Sequence, residues 1–125
     1  MRPRPVILIV DDEPDYLRIA SRIAAKAGCA VLTAAAALPG VELAAREKPD
    51  LILLDVGLPD ASGFEAARRI RKVPALAKTP IIFFTVRSEL DMVSQGLALG
   101  AAGYVLKPFD PDELERRIKA AVLPA

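Results

Sequence analysis

Three stretches of this 125-residue chain are apolar without alternation: VILIV at 6–10, LILL at 51–54 and IIFF at 81–84. A strand with one solvated face alternates apolar and polar residues, so unbroken short runs read as strands buried on both faces. Such strands belong to a parallel sheet with helices packed on each side. That single pattern excludes most architectures available to a chain of this size.

The intervening sequence supplies the helices. Pro14 after Glu13 suits a first helical position, and Leu17, Ala20, Ile23, Ala24 and Ala27 recur at helical spacing before Gly28. A second strand, less well marked, is expected at Ala30–Ala34. A helix is expected over 39–47, ended by Lys48-Pro49, and another over 64–72, with Phe64, Ala67 and Ile70 inward. Ser88-Glu89-Leu90-Asp91 has the capping-box pattern and starts a helix that runs to about Leu99. Gly96 inside that helix costs about 1 kcal/mol relative to alanine. A fifth strand is expected over 103–106. The last helix opens at Asp110-Pro111-Asp112-Glu113, carries the stripe Leu114, Ile118, Ala121 and Val122, and ends at Pro124.

Five strands thus alternate with five helices through short connections, and residues 1–125 read as one domain. Right-handed crossovers limit the topology to doubly wound α/β forms. In these, ligands bind beyond the carboxyl ends of the strands.

Composition narrows the chemistry. There is no histidine, which removes Ser-His-Asp triads, His-based metal sites and a phosphohistidine on this chain. Cys29 is the only cysteine, which excludes an internal disulfide and fits a reducing compartment. The net charge of +1 does not point to a nucleic-acid surface. The apolar run 6–10 is too short for a signal peptide and is cut off by Asp11-Asp12-Glu13, and no run approaches the roughly 20 residues of a membrane span. A cytoplasmic protein with no membrane contact is expected.

What the strands deliver at their carboxyl ends is then informative. Strand one ends in Asp11 and Asp12, strand three in Asp55, strand four in Thr85 and strand five in Lys107. A single acid at a strand end usually only caps a turn. Several acids, a hydroxyl and a lysine at one edge are a different matter. Neighbouring carboxylates raise one another's pKa, and a hard dication relieves them. Mg²⁺ takes carboxylate, water and phosphate oxygens, and a main-chain carbonyl near Gly57 is a further candidate ligand. Lys107 offers a cation to a phosphoryl group and Thr85 a hydroxyl. The set suits phosphoryl chemistry by positioning and charge neutralisation. Asp55, which stands alone, is the candidate nucleophile, with Asp11 and Asp12 better placed for metal.

The stretches VDDEP (10–14), LDVGLPDASG (54–63), Thr85 and GAAGYVLKPF (100–109) resemble the receiver domain of two-component response regulators, in order and spacing, across essentially the whole chain. The resemblance implies a flavodoxin-like (βα)5 fold with strand order 2-1-3-4-5. It implies that Asp55 is the phosphoacceptor, and that Asp11, Asp12, Asp55 and the backbone carbonyl of Gly57 bind Mg²⁺, with Mn²⁺ as an alternative ion. Thr85 and Lys107 would contact the phosphoryl group, and Thr85 with Tyr104 would form the switch. The implied phosphodonor partner is a sensor histidine kinase or histidine phosphotransfer protein. The implied output is a change on the face made by the fourth helix, fifth strand and fifth helix (α4-β5-α5), read by a downstream effector domain or protein or used in a phosphorylation-dependent homodimer. The resemblance implies a switch that promotes its own phosphorylation and dephosphorylation, not a turnover enzyme.

The chain departs from the family pattern in places. Leu58 stands where methionine is frequent, with little effect expected. Val86 follows Thr85 where a small residue is common, and would narrow access to the phosphoryl site. Arg87 and Gly57 occupy positions that influence aspartyl-phosphate lifetime. The alternative function is a pseudo-receiver, an interaction module independent of phosphorylation; the complete set of five side chains argues against it. A haloacid-dehalogenase-type phosphatase would need an acid where Gly57 stands, and the acids would repel a flavin phosphate. Arg116, Arg117 and Lys119 are interleaved with Glu113 and Glu115, which fits a solvated or partner face better than nucleic acid.

Overall fold

The structure is a computed structural model and describes residues 3–86 and 93–122. Five strands, β1 (Val6–Val10), β2 (Ala30–Ala34), β3 (Leu51–Asp55), β4 (Ile81–Val86) and β5 (Gly103–Lys107), form one sheet in the order β2-β1-β3-β4-β5. Every pairing is parallel. Helices α1 (Pro14–Lys26), α2 (Ala37–Glu47), α3 (Gly63–Arg71) and α4 (Val93–Ala98) connect them, with a 3₁₀ turn at Pro74–Leu76, and α5 (Pro111–Val122) follows β5. This is the flavodoxin-like doubly wound fold expected from the sequence.

The unbroken apolar runs do what such runs must. Leu8, Val10, Ile52, Leu54, Ile81 and Phe83 pack on one side of the sheet with residues of α2 and α3, including Ala37, Ala44, Phe64, Ala67 and Ile70. Ile7, Ile9, Leu51, Leu53, Ile82, Phe84 and Val105 pack on the other side against Ala20 and Ala24 of α1 and Leu114 and Ile118 of α5. Alternate residues of one strand therefore feed two cores, and β1, β3 and β4 sit rigidly between them. Among the described residues, no helix is long and apolar enough to cross a membrane.

Boundaries differ from the sequence reading by one or two residues, at α3 (63–71, not 64–72) and at three places that bear on the site. β4 runs to Val86 and β5 to Lys107, because Thr85 pairs with Leu106 and Val86 with Lys107. Thr85 and Lys107 are thus ladder residues, not loop residues, and inherit the sheet's rigidity. α2 starts at Ala37, two residues before Pro39. Its first turn is capped from another loop: the Asp60 carboxylate accepts from the Ala37 amide at 2.7 Å and the Leu38 amide at 2.9 Å. The preceding residue, Ala36, has no side chain to do this. The expected capping box at 88–91, Arg87 and Pro124 lie outside the described residues.

Candidate functional site

Asp11 follows β1, and its Oδ1 accepts from the Glu13 amide at 2.9 Å. This turn fixes Asp11 just ahead of α1 and leaves Asp12 exposed. Asp55 is the last residue of β3. Its neighbour Val56 continues the ladder, donating to the Phe84 carbonyl at 3.0 Å. Gly63 at the start of α3 donates to the Val56 carbonyl at 2.8 Å. A Cβ at Gly63 would overlap the Asp55 carbonyl, so glycine permits α3 to press directly on the acid's backbone. Ser62 caps that helix by accepting from the Glu65 amide at 3.1 Å.

The acid at the end of the core strand β3 joins a cluster of buried polar groups. Asp11, Asp55, Thr85 and Lys107 are the buried polar residues of the described chain, between 0% and 5% exposed. Lys107 Nζ lies 2.7 Å from Asp11 Oδ2 and 3.4 Å from Asp55 Oδ1. Carboxylate oxygens of Asp11, Asp12 and Asp55 all lie within 4.8 Å of one another. Thr85 Oγ1 donates to the Val86 carbonyl at 3.2 Å. Gly57 is exposed in the turn after β3.

The electrostatics separate burial from mutual repulsion. Burial is the leading cause that pushes the Asp55 carboxyl up to about 6; the charge of Asp11 adds to it, while Lys107 and the Gly57 amide oppose it. Asp11 is also raised, again chiefly by burial, against the pull of Lys107 and the Glu13 amide. For Lys107, burial favours the neutral amine, but Asp11, Asp55 and Glu13 outweigh it and raise its pKa. The sequence reading gave repulsion between acids the first place; it ranks second.

The donor set fits a hard cation. Asp11 Oδ2 is buried and receives no aligned hydrogen bond, its contact with Lys107 being an ion pair. Two further carboxylates stand within reach of it, one of them, Asp12, open to solvent. All are hard oxygen donors of the kind Mg²⁺ and Mn²⁺ take.

Sequence reasoning missed two residues here. Glu13 was read only as a helix opener, yet its Oε1 lies 3.3 Å from Lys107 Nζ. The Tyr16 ring centroid lies 4.3 Å from the same atom. Glu13 carried a weak signal as a third consecutive acid after a strand; Tyr16 carried none, because its partner is far away in sequence.

Tyr104, expected in the switch, is half-buried on β5. Its ring stacks on Phe83, centroids 5.5 Å apart, on the sheet side that faces α2 and α3. Phe83 and Thr85 are two apart on β4 and so share that side.

A parallel doubly wound sheet with buried acids and a lysine at its carboxyl edge defines a class of α/β proteins whose site lies at that edge. Comparison makes it specific. Residues 7–119 match the family model for the response regulator receiver domain, and the chain belongs to that family. It is 41% identical over 116 residues to the phosphate regulon transcriptional regulatory protein PhoB of Pseudomonas aeruginosa, covering 93% of this chain and 51% of that protein. It is 36% identical over 117 residues to the transcriptional regulatory protein KdpE of Mycobacterium tuberculosis, covering 94% and 50%. The chain thus spans about half the length of these curated relatives. Among solved structures, chemotaxis response regulator CheY4 of Vibrio cholerae superposes with a TM-score of 0.88 at 30% identity, covering 94% of this chain and 98% of that one. A CheY-like receiver domain protein of Methanospirillum hungatei gives 0.88 at 31%, covering 95% and 94%.

Proposed function

We propose that this receiver domain, residues 1–125 as one unit, is a phosphorylation-controlled signalling switch in a cytoplasmic two-component system. Asp55 accepts a phosphoryl group from a phosphohistidine on a sensor histidine kinase or phosphotransfer protein. The observation that carries this reading is Asp55 itself, a buried carboxylate 3.4 Å from the Lys107 ammonium and beside two further acids.

The chemistry follows from the residues. A pKa of about 6 leaves Asp55 mostly ionised at neutral pH, as a nucleophile must be. Its oxygen forms the bond to phosphorus as the bond to the donor nitrogen breaks. Asp11, Asp12, Asp55 and the Gly57 carbonyl would hold Mg²⁺, or Mn²⁺ in its place, which supplies positive charge against both the acids and the phosphoryl oxygens. Lys107 supplies the protein's own cation, and Thr85 a hydroxyl donor on the adjacent strand. Val86, 38% exposed after Thr85, narrows the approach for the donor.

The signal leaves through Thr85 and Tyr104. Movement of Thr85 towards the phosphoryl group favours the inward position of Tyr104, and the α4-β5-α5 face changes with it. A downstream effector domain or protein, or a second phosphorylated copy, reads that face. No turnover of an external substrate is involved. PhoB and KdpE are transcriptional regulators by name. In this reading the present segment contributes the switch and no direct nucleic-acid contact. Acetyl phosphate with Mg²⁺, followed by borohydride reduction and peptide mapping, tests the assignment: the reduced residue should be Asp55, and reduction elsewhere would overturn it.

A further inference from the structure

Three of the groups around Lys107 Nζ are carboxylates: Asp11 at 2.7 Å, Glu13 at 3.3 Å and Asp55 at 3.4 Å. The fourth is the ring of Tyr16, 4.3 Å away at its centroid. That ring is well anchored. It meets Phe109 edge-on, centroids 5.5 Å apart, and Phe109 packs on Phe84 at 5.5 Å. Phe84 is fully buried in β4. An aromatic ladder therefore runs from the core to the ammonium.

The two kinds of contact respond differently to charge. Attraction to the acids weakens when a metal cation occupies them. The ring carries no net charge, so its hold on the ammonium persists. The lysine side chain is 2% exposed, and cation–π attraction is strongest when the cation has lost its water. Glu13, at 55% exposure, is the least constrained of the three acids.

We propose that Tyr16 is a positioning residue for Lys107: its ring holds the ammonium beside Asp55 whether or not the surrounding acids are neutralised. The consequence for phosphorylation rests on the reading of Asp55 as phosphoacceptor; the placement of Lys107 does not.

The first measurement uses the metal-free chain. The Lys107 ε-methylene protons, identified by their disappearance in Lys107→Met, should be shifted upfield by the Tyr16 ring current. The shift should survive in Tyr16→Phe and collapse in Tyr16→Leu. An unshifted signal in the natural chain, or one indifferent to Tyr16→Leu, overturns the inference.

The second measurement is the rate of phosphorylation by acetyl phosphate. Tyr16→Leu should slow it roughly fivefold to thirtyfold, and Tyr16→Phe should stay within about twofold of the natural chain. On the Lys107→Met background, Tyr16→Leu should have no further effect. An equal loss on that background, or no rescue by phenylalanine, would reduce Tyr16 to a packing residue. A ring-dependent methylene shift in a chain that accepts no phosphoryl group supports the hold of Tyr16 on Lys107 and overturns the phosphoacceptor reading alone.

Discussion

Gly96 of α4 leaves the space that the Tyr104 hydroxyl occupies: a Cβ at residue 96 would overlap that oxygen and come within 3.0 Å of the Phe83 ring. Burial raises the Tyr104 pKa, and a backbone hydrogen bond from Gly96 works against the rise. The glycine costs α4 about 1 kcal/mol of helix propensity. The structure gives that cost a reason, since the residue is the seat of the aromatic proposed for the switch.

Gly96→Ala should therefore move Tyr104 outward more than it changes stability. The obstructed atoms are at the far end of a rotatable side chain, so the ring swings away at modest cost, and alanine returns its propensity to the helix. The net change in unfolding free energy should stay within about 1 kcal/mol. Acrylamide quenching of tyrosine fluorescence, measured on a Tyr16→Phe background so that Tyr104 alone reports, should increase. Unchanged quenching would contradict the seat.

Metal-free Asp55 should weaken the fold at neutral pH. Its folded pKa, about 6, lies above the ordinary 3.8. A raised value means that the favourable contribution of its protonated form is fully present below pH 3.8 and lost as pH rises through 6. In chelator, Asp55→Asn should exceed the natural chain in stability at neutral pH by on the order of 2–3 kcal/mol, and the difference should vanish in acid. Mg²⁺ should then stabilise the natural chain more than the variant. Urea titrations at several pH values, with and without Mg²⁺, read both effects. A less stable Asp55→Asn in chelator at neutral pH would contradict the burial argument.

Asp60 should hold α2 to the turn after β3. Its carboxyl lies below the usual range because the Leu38 and Ala37 amides donate to it. A lowered folded pKa gives stability that is present above the unfolded value and lost as pH falls through the folded one. Asp60→Asn should lower the urea midpoint at neutral pH, and the gap should close as the medium becomes acidic enough to protonate Asp60. A gap that persists in acid would show that charge at the helix start is not the cause.

What was legible in the sequence was whatever a short window contains. The runs 6–10, 51–54 and 81–84 announce doubly buried strands, and the stripe of Leu114, Ile118, Ala121 and Val122 announces α5. Asp11, Asp55, Thr85 and Lys107 were legible because each interrupts or ends an apolar run, so an edge could be inferred before any distance was known. The illegible parts are contacts between distant segments. Asp60 caps a helix that starts before it in the chain. Tyr16 meets Lys107 across the edge of the sheet. Gly96 looked like a weak point until Tyr104 was placed against it.

Arg71 belongs with these. At the end of α3 it is half-buried and donates to four carbonyls: Leu76 at 2.9 Å, Thr79 at 2.6 Å, Leu99 at 2.9 Å and Gly100 at 3.2 Å. It ties the turn before β4 to the turn before β5. Arg71→Ala should cost about 2–4 kcal/mol by urea denaturation. Arg71→Lys should recover little, because one ammonium cannot span both turns as the planar guanidinium does. Full recovery with lysine would mean that charge alone matters.

The central claim is tested most directly by intact mass after acetyl phosphate treatment, with and without Mg²⁺, on the natural chain and on Asp55→Asn. The account predicts a gain of one phosphoryl group that requires Mg²⁺ and is absent from the variant. A gain of equal size in Asp55→Asn would contradict the assignment of Asp55. No gain under any condition, together with failure to bind Mg²⁺, would replace the switch with an interaction module that works without phosphorylation.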